Sequence, residues 1–259
     1  MLGSYEKFKS SIYSLTKIDL SSYKESQMRR RIDSLITKNN ILSYDSYVEL
    51  LRKDREKFSQ FVNFLTINVS EFYRDPVHWE FLHANIIPEL LRKFGKNLKI
   101  WSAACSTGNE PYSLVMAFSR YLPLNQIRVI ATDIDRQVLE SARIGIYNEK
   151  SIASVPSDLK RRFFTKVGES YQVSKDIKAR VEFQEHNLLR DAYPSGCHLI
   201  VCRNVLIYFT GQARDDVYRK FNQALVKDGV LFIGSAEQMM NYRELNYEKK
   251  TLVFFSKVK

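Results

Sequence analysis

The residues best suited to chemistry follow a short apolar segment near the middle of the chain. The sequence Trp101-Ser102-Ala103-Ala104-Cys105-Ser106-Thr107-Gly108-Asn109-Glu110-Pro111-Tyr112 passes from strand-like residues through small ones into a helix start. Small residues let a ligand approach the backbone, and a helix N-terminus offers free N–H groups. Ala103–Glu110 therefore has the character of the first strand-to-helix turn of a nucleotide-binding sheet, where ligands bind beyond the carboxyl ends of the strands.

The glycine pattern of this turn narrows the class of ligand. Gly108 is its only glycine, so the turn matches neither the dinucleotide-binding pattern nor a phosphate-binding P-loop. This disfavours a pyrophosphate ligand, whereas a nucleoside without phosphates remains possible.

Polar residues also end two further predicted strands. Asp133 follows the apolar run Ile127–Thr132. An acid at this position commonly accepts hydrogen bonds from ribose hydroxyls, although it caps a following helix just as often. Asn204 follows the predicted strand His198–Arg203, where it either contacts the ligand or caps the next turn. The sequence leaves both roles open.

The elements that must position these residues change type along the chain. Residues 1–70 show only helical spacing of apolar residues and predict an all-helical domain. Residues 71–97 read as linker helices, one of them starting at Asp75-Pro76 with the acid as N-cap. Residues 98–259 alternate strands with helices and predict an α/β domain with a mixed, mostly parallel sheet. Within it, short alternating runs over about 163–185 predict a small antiparallel β insert.

The composition limits the remaining possibilities. The chain has 259 residues and a net charge of +11, which favours an acidic partner without identifying it. Three cysteines without paired spacing favour a reducing compartment, and the four histidines show no metal-ligand spacing, so we expect no metal. With no apolar run near ~20 residues and no signal peptide, we expect a cytoplasmic protein that does not insert into membranes.

Four long motifs, in this order, resemble the chemotaxis receptor methyltransferases (CheR), and the resemblance spans essentially the whole chain. The motifs are Thr66–Arg74, Trp101–Ser113, Ala131–Asp135 and Cys202–Phe209. The resemblance implies a class I, Rossmann-like S-adenosylmethionine (SAM) methyltransferase fold. It also implies methyl transfer from SAM to glutamate side chains on the cytoplasmic helices of chemoreceptors, yielding glutamate methyl esters and S-adenosylhomocysteine in sensory adaptation.

The resemblance also assigns residues by position. Its cofactor-contacting positions are Asn68, Ser70, Arg74, Glu110, Asp133, Asn187, Leu188, Asn204 and Val205. We expect Arg74 to orient a carboxylate of cofactor or substrate and Tyr208 to line the methyl-transfer pocket; the less favoured alternative for Tyr208 is packing under the sheet edge. Asn109 stands where the family usually has an acid, and Ser70 replaces a frequent threonine while keeping the hydroxyl.

The second predicted helix carries a basic face that includes Arg29, Arg30 and Arg31. Such a run is often only a solvated face, but the resemblance implies receptor recognition here, with Arg31 the best-matched position. The positive charge of this helix would complement an acidic helical substrate. We expect recruitment to membrane-bound receptor arrays, and we expect a monomer because no large spare apolar face is evident in the sequence. Whether the β insert docks a receptor tail is left open.

Two other functions compete with this one. The net charge permits a nucleic-acid methyltransferase, but Arg203-Asn204-Val205-Leu206 lacks the Asp/Asn-Pro-Pro-aromatic motif of base amino-group methylases, and no interleaved basic and aromatic patch appears. A non-catalytic SAM-binding module is disfavoured by the intact matches at Arg74, Glu110, Asp133 and Asn204. We therefore expect no nucleic-acid partner.

Overall fold

The computed structural model describes residues 2–259. Its chain divides into two compact units. The first contains Met1–Ile67 and Leu206–Asp216, and the second contains Asn68–Val205 and Val217–Lys259.

The first unit is built from four helices and the beginning of a fifth. They are α1 (Tyr5–Thr16), α2 (Glu25–Lys38), α3 (Tyr44–Lys53), α4 (Arg55–Thr66) and the first turns of α11 (Gly211–Ala224). Side-chain oxygens of Ser4, Ser43 and Asp54 accept backbone N–H groups at the starts of α1, α3 and α4, as expected of N-caps. Aromatic rings fill the core, with the Phe8 and Tyr44 centroids 4.7 Å apart.

The segment 206–216 joins this unit through the start of α2. The Lys24 N–H donates to the Tyr208 carbonyl (2.9 Å), and the Thr210 N–H donates to the Ser22 carbonyl (2.9 Å). The rings of Tyr23 and Phe209 meet edge to face at 4.9 Å. This segment lies far along the chain, within the predicted range 98–259, yet its contacts place it in the helical unit.

The second unit contains ten strands and the remaining helices. In chain order they are α5 (Pro76–Phe81), α6 (Ile87–Phe94), β1 (Ile100–Ala103), α7 (Asn109–Phe118), β2 (Val129–Asp133), α8 (Arg136–Ile144), β3 (Ile146–Asn148), α9 (Ser157–Phe163), β4 (Phe164–Val167), β5 (Ser170–Val173), α10 (Lys175–Lys178), β6 (Val181–Glu185), β7 (Cys197–Cys202), the end of α11, β8 (Leu225–Ile233), β9 (Tyr247–Lys249) and β10 (Phe254–Lys257). A π-helical turn, Leu82–Ile86, joins α5 to α6.

The main sheet has seven strands in the order β6-β2-β1-β7-β8-β10-β9. The five from β6 to β8 run parallel, while β10 and β9 are antiparallel to their neighbours. All four residues of β1 are buried, as expected for a central parallel strand that is covered on both faces. The predicted mixed α/β fold is confirmed. Because parallel strands end at the same edge, the residues after β1, β2 and β7 come together.

The small sheet differs from the predicted insert at 163–185. It has three strands in the order β3-β5-β4, and β3 comes from residues 146–148, before the predicted range. Strand β6, which the prediction included, instead pairs in parallel with β2, with Val181 beside Val129. The alternation at Val181–Phe183 fits either sheet. The crossover through α10 brings β6 to the open edge at β2.

Residues 71–97, the predicted linker helices, contain α5, the π-helical turn and α6. They belong to the second unit, where Trp79 packs against Phe232 of β8 with ring centroids 6.0 Å apart. Pro76 opens α5 as expected, but Asp75 does not cap the helix with its side chain. The Asp75 carboxylate instead binds the Arg203 guanidinium at 2.9 Å. That ion pair explains why the acid precedes the proline.

Candidate cofactor-binding site

The loop after β1 is held in a tight conformation that requires one glycine. Ala104, Ser106 and Gly108 all have positive φ angles, of 62°, 49° and 87°. A Cβ at position 108 would lie 2.8 Å from the Ala142 Cβ of α8. Gly108 is therefore needed for its left-handed backbone and for close packing of the loop against α8. The backbone of this loop is hydrogen-bonded to the end of β2, because the Cys105 N–H donates to the Thr132 carbonyl at 2.9 Å.

Asp133 ties the loops after β1 and β2 together. Its Oδ2 accepts the Ser106 N–H at 2.8 Å, and its Oδ1 accepts the Asp135 N–H at 3.0 Å. Burial raises the pKa of Asp133 to about 6, although these backbone hydrogen bonds oppose the rise. The Asn68 amide donates to Asp135 Oδ2 at 3.0 Å and thereby joins the segment before α5 to the same cluster.

Glu110 lies at the start of α7 with only 13% of its side chain exposed. Its Oε1 accepts the Ser102 hydroxyl at 2.7 Å, and its Oε2 lies 4.0 Å from Arg203 Nη1. Burial raises the pKa of Glu110 to about 7, against the lowering effect of the Arg203 charge. Glu110 is thus a buried acid that a bound cation would favour in its ionised form.

Arg203 is the important residue that the sequence interpretation missed. Its side chain is 3% exposed, and its Nη2 donates to the Arg74 carbonyl at 2.8 Å as well as to Asp75. Its guanidinium lies 4.7 Å from the Phe232 ring centroid. Arg203 thereby fixes the turn that carries Arg74, whose half-buried side chain donates to the Val69 carbonyl at 3.4 Å. The sequence does contain an indication of this role, because an arginine at the end of an apolar strand needs a buried acidic partner.

Asn204 follows β7 with a left-handed backbone, at φ 61°. Its side-chain Oδ1 is buried and has no hydrogen-bond partner within residues 2–259. The next N–H, of Val205, donates to Glu237 Oε1 at 2.9 Å. The Asn204 amide is therefore a fixed acceptor at the sheet edge rather than a cap of the following turn.

The segment Asn187–Leu188 reaches the same edge from the end of β6. The His186 N–H donates to the Asp133 carbonyl at 2.9 Å, and Asn187 Oδ1 accepts the Leu189 N–H at 2.9 Å. The Lys220 ammonium of α11 donates to the Leu189 carbonyl at 2.9 Å. These contacts hold the backbone of Asn187–Leu188 in a fixed turn.

Ser70 is half-buried in the segment between Asn68 and Arg74. Asn68, Ser70 and Arg74, with the residues after β1, β2, β6 and β7, all belong to the second unit. Tyr208, Arg29, Arg30 and Arg31 belong to the first unit, so their roles stay predictions.

The three arginines of α2 have different surroundings. Arg30 is exposed and makes no hydrogen bond or ion pair in the described part of the chain, while Arg29 Nε lies 3.9 Å from Asp33 Oδ2. Arg31 is half-buried, donates to the Phe64 carbonyl at 2.7 Å and stacks on the Phe64 ring at 4.5 Å. It therefore satisfies a carbonyl in the last turn of α4, which a helix end otherwise leaves open.

The chemistry of this edge fits one kind of ligand. Glu110 at the start of α7, Asp133 at the end of β2 and Asn204 Oδ1 after β7 are buried acceptors. SAM carries an ammonium, a sulfonium and ribose hydroxyls, which are cations or donors. No group of three or more histidine, cysteine, aspartate or glutamate residues suited to a metal ion occurs within residues 2–259.

A mixed, mostly parallel sheet with buried acids beyond its first two strands is typical of class I SAM-dependent methyltransferases. The profile "CheR methyltransferase, SAM binding domain" matches residues 68–254, and "CheR methyltransferase, all-alpha domain" matches residues 3–66. The chain belongs to the CheR methyltransferase family. The predicted family and the predicted cofactor, SAM, are both confirmed.

Relatives with the name "Chemotaxis protein methyltransferase" match nearly the whole chain. The protein of Listeria innocua is 40% identical over 224 residues, which cover 86% of each chain. That of Salmonella typhimurium is 32% identical over 259 residues, covering 96% of this chain and 88% of the relative. The protein is therefore a SAM-dependent protein methyltransferase of chemotaxis. Within residues 2–259, no helix is both long and apolar enough to cross a membrane.

Proposed function

We propose that this enzyme methylates glutamate side chains on the cytoplasmic helices of chemoreceptors. The products are glutamate methyl esters and S-adenosylhomocysteine. The observation that carries the proposal is the set of buried acceptors Glu110, Asp133 and Asn204, which suits a cationic methyl donor. A substrate that is already an anion then needs no base from the protein.

The chemistry of a carboxylate substrate agrees with this site. A glutamate side chain has an ordinary pKa of about 4.3, so it is ionised at neutral pH. SAM supplies the methyl group from its sulfonium. One carboxylate oxygen forms the new bond to the methyl carbon, and the sulfur keeps the electron pair of the broken bond. The protein then has to orient and desolvate the reactants rather than move a proton.

The proposed roles follow the contacts of the second unit. Glu110 and Asp133 hold the cationic and hydroxyl groups of the cofactor, and Asn204 supplies a further acceptor. Arg74 orients a carboxylate, on a turn that Arg203 holds in place. The remaining proposed cofactor contacts are Asn68, Ser70, Asn187, Leu188 and Val205, and Tyr208 lines the pocket for methyl transfer.

Receptor recognition is proposed for the basic face of α2. A net charge of +11 favours an acidic partner, and Arg29 and Arg30 are exposed on this helix. Arg31 is the best match to the family, but its bond to the Phe64 carbonyl gives it a structural task in addition. We propose that the enzyme is a cytoplasmic monomer, which this surface brings to receptor arrays.

The proposal is tested by following a labelled methyl group from SAM into membranes that contain receptor. We expect the label to enter receptor protein and to be released as methanol by mild base, because carboxyl esters are labile in base. Label that resists base, or that enters added nucleic acid instead, contradicts the proposal. Membranes without receptor are the control.

A further inference from the structure

Glu237 is a buried acid beside the proposed cofactor site. It follows β8, and the residue is 4% exposed. Its Oε1 accepts the Val205 N–H at 2.9 Å, and its Oε2 accepts the Gly234 N–H at 2.6 Å. One carboxylate therefore bridges the ends of two neighbouring parallel strands, β7 and β8.

Asn204 lies next to both backbone groups that the Glu237 carboxylate binds. Gly234 is bound by one oxygen and Val205, the residue after Asn204, by the other. A Cβ at position 234 would lie 2.7 Å from the Asn204 nitrogen and 2.9 Å from its Cγ, so the amide packs directly on the glycine backbone. The left-handed backbone of Asn204 is uncommon for a residue with a side chain and persists where its surroundings hold it.

The fixed conformation has a consequence for the amide. Asn204 Oδ1 is buried without a partner among residues 2–259, an arrangement that costs stability unless a ligand uses the atom. We propose that Glu237 is a positioning residue that holds the Asn204 amide in the orientation needed to bind the methyl donor. This inference rests on the proposed cofactor role of Asn204.

The bridge between the two strand ends depends on the negative charge of the Glu237 carboxylate. An ionised carboxylate only accepts hydrogen bonds, so both oxygens can take a backbone N–H at once. A glutamine of the same shape presents one oxygen and one NH2 group, and the NH2 group would face an N–H donor. Glu237→Gln should thus release one strand end and let Asn204 turn away.

The test is a double-mutant cycle, with the Kd for SAM measured by calorimetry on the full chain. We expect Glu237→Gln and Asn204→Ala each to weaken binding about tenfold or more, as for loss of a charge-assisted contact or a buried acceptor. The double variant should bind within about twofold of Asn204→Ala alone, because Glu237 acts through Asn204. The control Glu244→Gln removes an exposed acid from the same connection between β8 and β9 and should bind as the unmodified protein does.

The possible results of this cycle distinguish a failure of this inference from a failure of the proposed cofactor role of Asn204. Additive losses in the double variant show that Glu237 acts independently of Asn204 and overturn the inference, as does normal binding by Glu237→Gln. Normal binding by Asn204→Ala removes the proposed cofactor role of Asn204 and the inference with it. If circular dichroism shows that Glu237→Gln is unfolded, the same cycle with Glu237→Asp decides, since the shorter acid cannot span both N–H groups.

Discussion

The carboxyl edge of the main sheet and the basic face of α2, which we propose to bind cofactor and receptor, differ in how their charged side chains are held. At the sheet edge, Asp133 and Glu110 are enclosed, hydrogen-bonded and shifted in pKa. On α2, Arg30 is exposed and has no partner within residues 2–259. The difference teaches that the fold forms the proposed cofactor site in advance, whereas the proposed receptor surface relies on exposed charge. Substitutions should therefore be costly at the edge and mild on the helix.

The largest effect is expected from Asp133→Ala. This change leaves the buried N–H groups of Ser106 and Asp135 without their acceptor, which should lower the free energy of unfolding by about 2–4 kcal/mol. It should also abolish measurable SAM binding. Urea unfolding and calorimetry measure the two effects. The control Asp176→Ala removes an exposed acid of the same unit, and equal behaviour of the two variants would contradict the account.

Arg31→Glu should act on stability, unlike changes at the neighbouring arginine. It removes the bond to the Phe64 carbonyl and puts a negative charge near the C-terminus of α4, for a loss of about 1–3 kcal/mol. Arg30→Glu should stay within about 0.5 kcal/mol of the unmodified protein. Urea unfolding followed by circular dichroism compares them. Equal stabilities would mean that Arg31 has no structural task.

The affinity for SAM should depend on pH through the two buried acids. Burial raises the pKa of Glu110 to about 7 and of Asp133 to about 6, so both become neutral as the pH falls. Because a cationic ligand favours both acids in their ionised form, the Kd for SAM should rise about ten- to twentyfold between pH 7.5 and pH 6. In Glu110→Gln the rise should shrink to about twofold. A rise of undiminished size in Glu110→Gln would assign the titration to another group.

The smallest effect is expected on α2. Arg30→Glu should raise the KM for receptor about three- to tenfold while kcat and the Kd for SAM hold, because an exposed charge acts mainly on association. Steady-state methylation of receptor membranes measures it. Arg55→Glu makes the same charge reversal at an exposed position of the same unit and should leave the KM unchanged. An unaltered KM in Arg30→Glu would remove Arg30 from the receptor surface.

Sequence patterns predicted the central strands well because each is a continuous apolar run that ends in a polar residue. They failed at β6, where Val181–Phe183 alternates as either an edge strand or a hairpin would, and only the crossover decides. The sequence does not indicate the role of Glu237, because its carboxylate binds backbone N–H groups, which no residue type in the sequence identifies. The motifs thus indicate the residues at the sheet edge better than the residues that hold them in place.

Mass spectrometry of a receptor cytoplasmic fragment after incubation with the enzyme and SAM tests the central claim most directly. The account predicts single methyl groups on glutamate side chains, removed by mild base, with none added by Asp133→Ala. Methyl groups on another residue type, or an unmethylated fragment under conditions where calorimetry shows that SAM is bound, would contradict it.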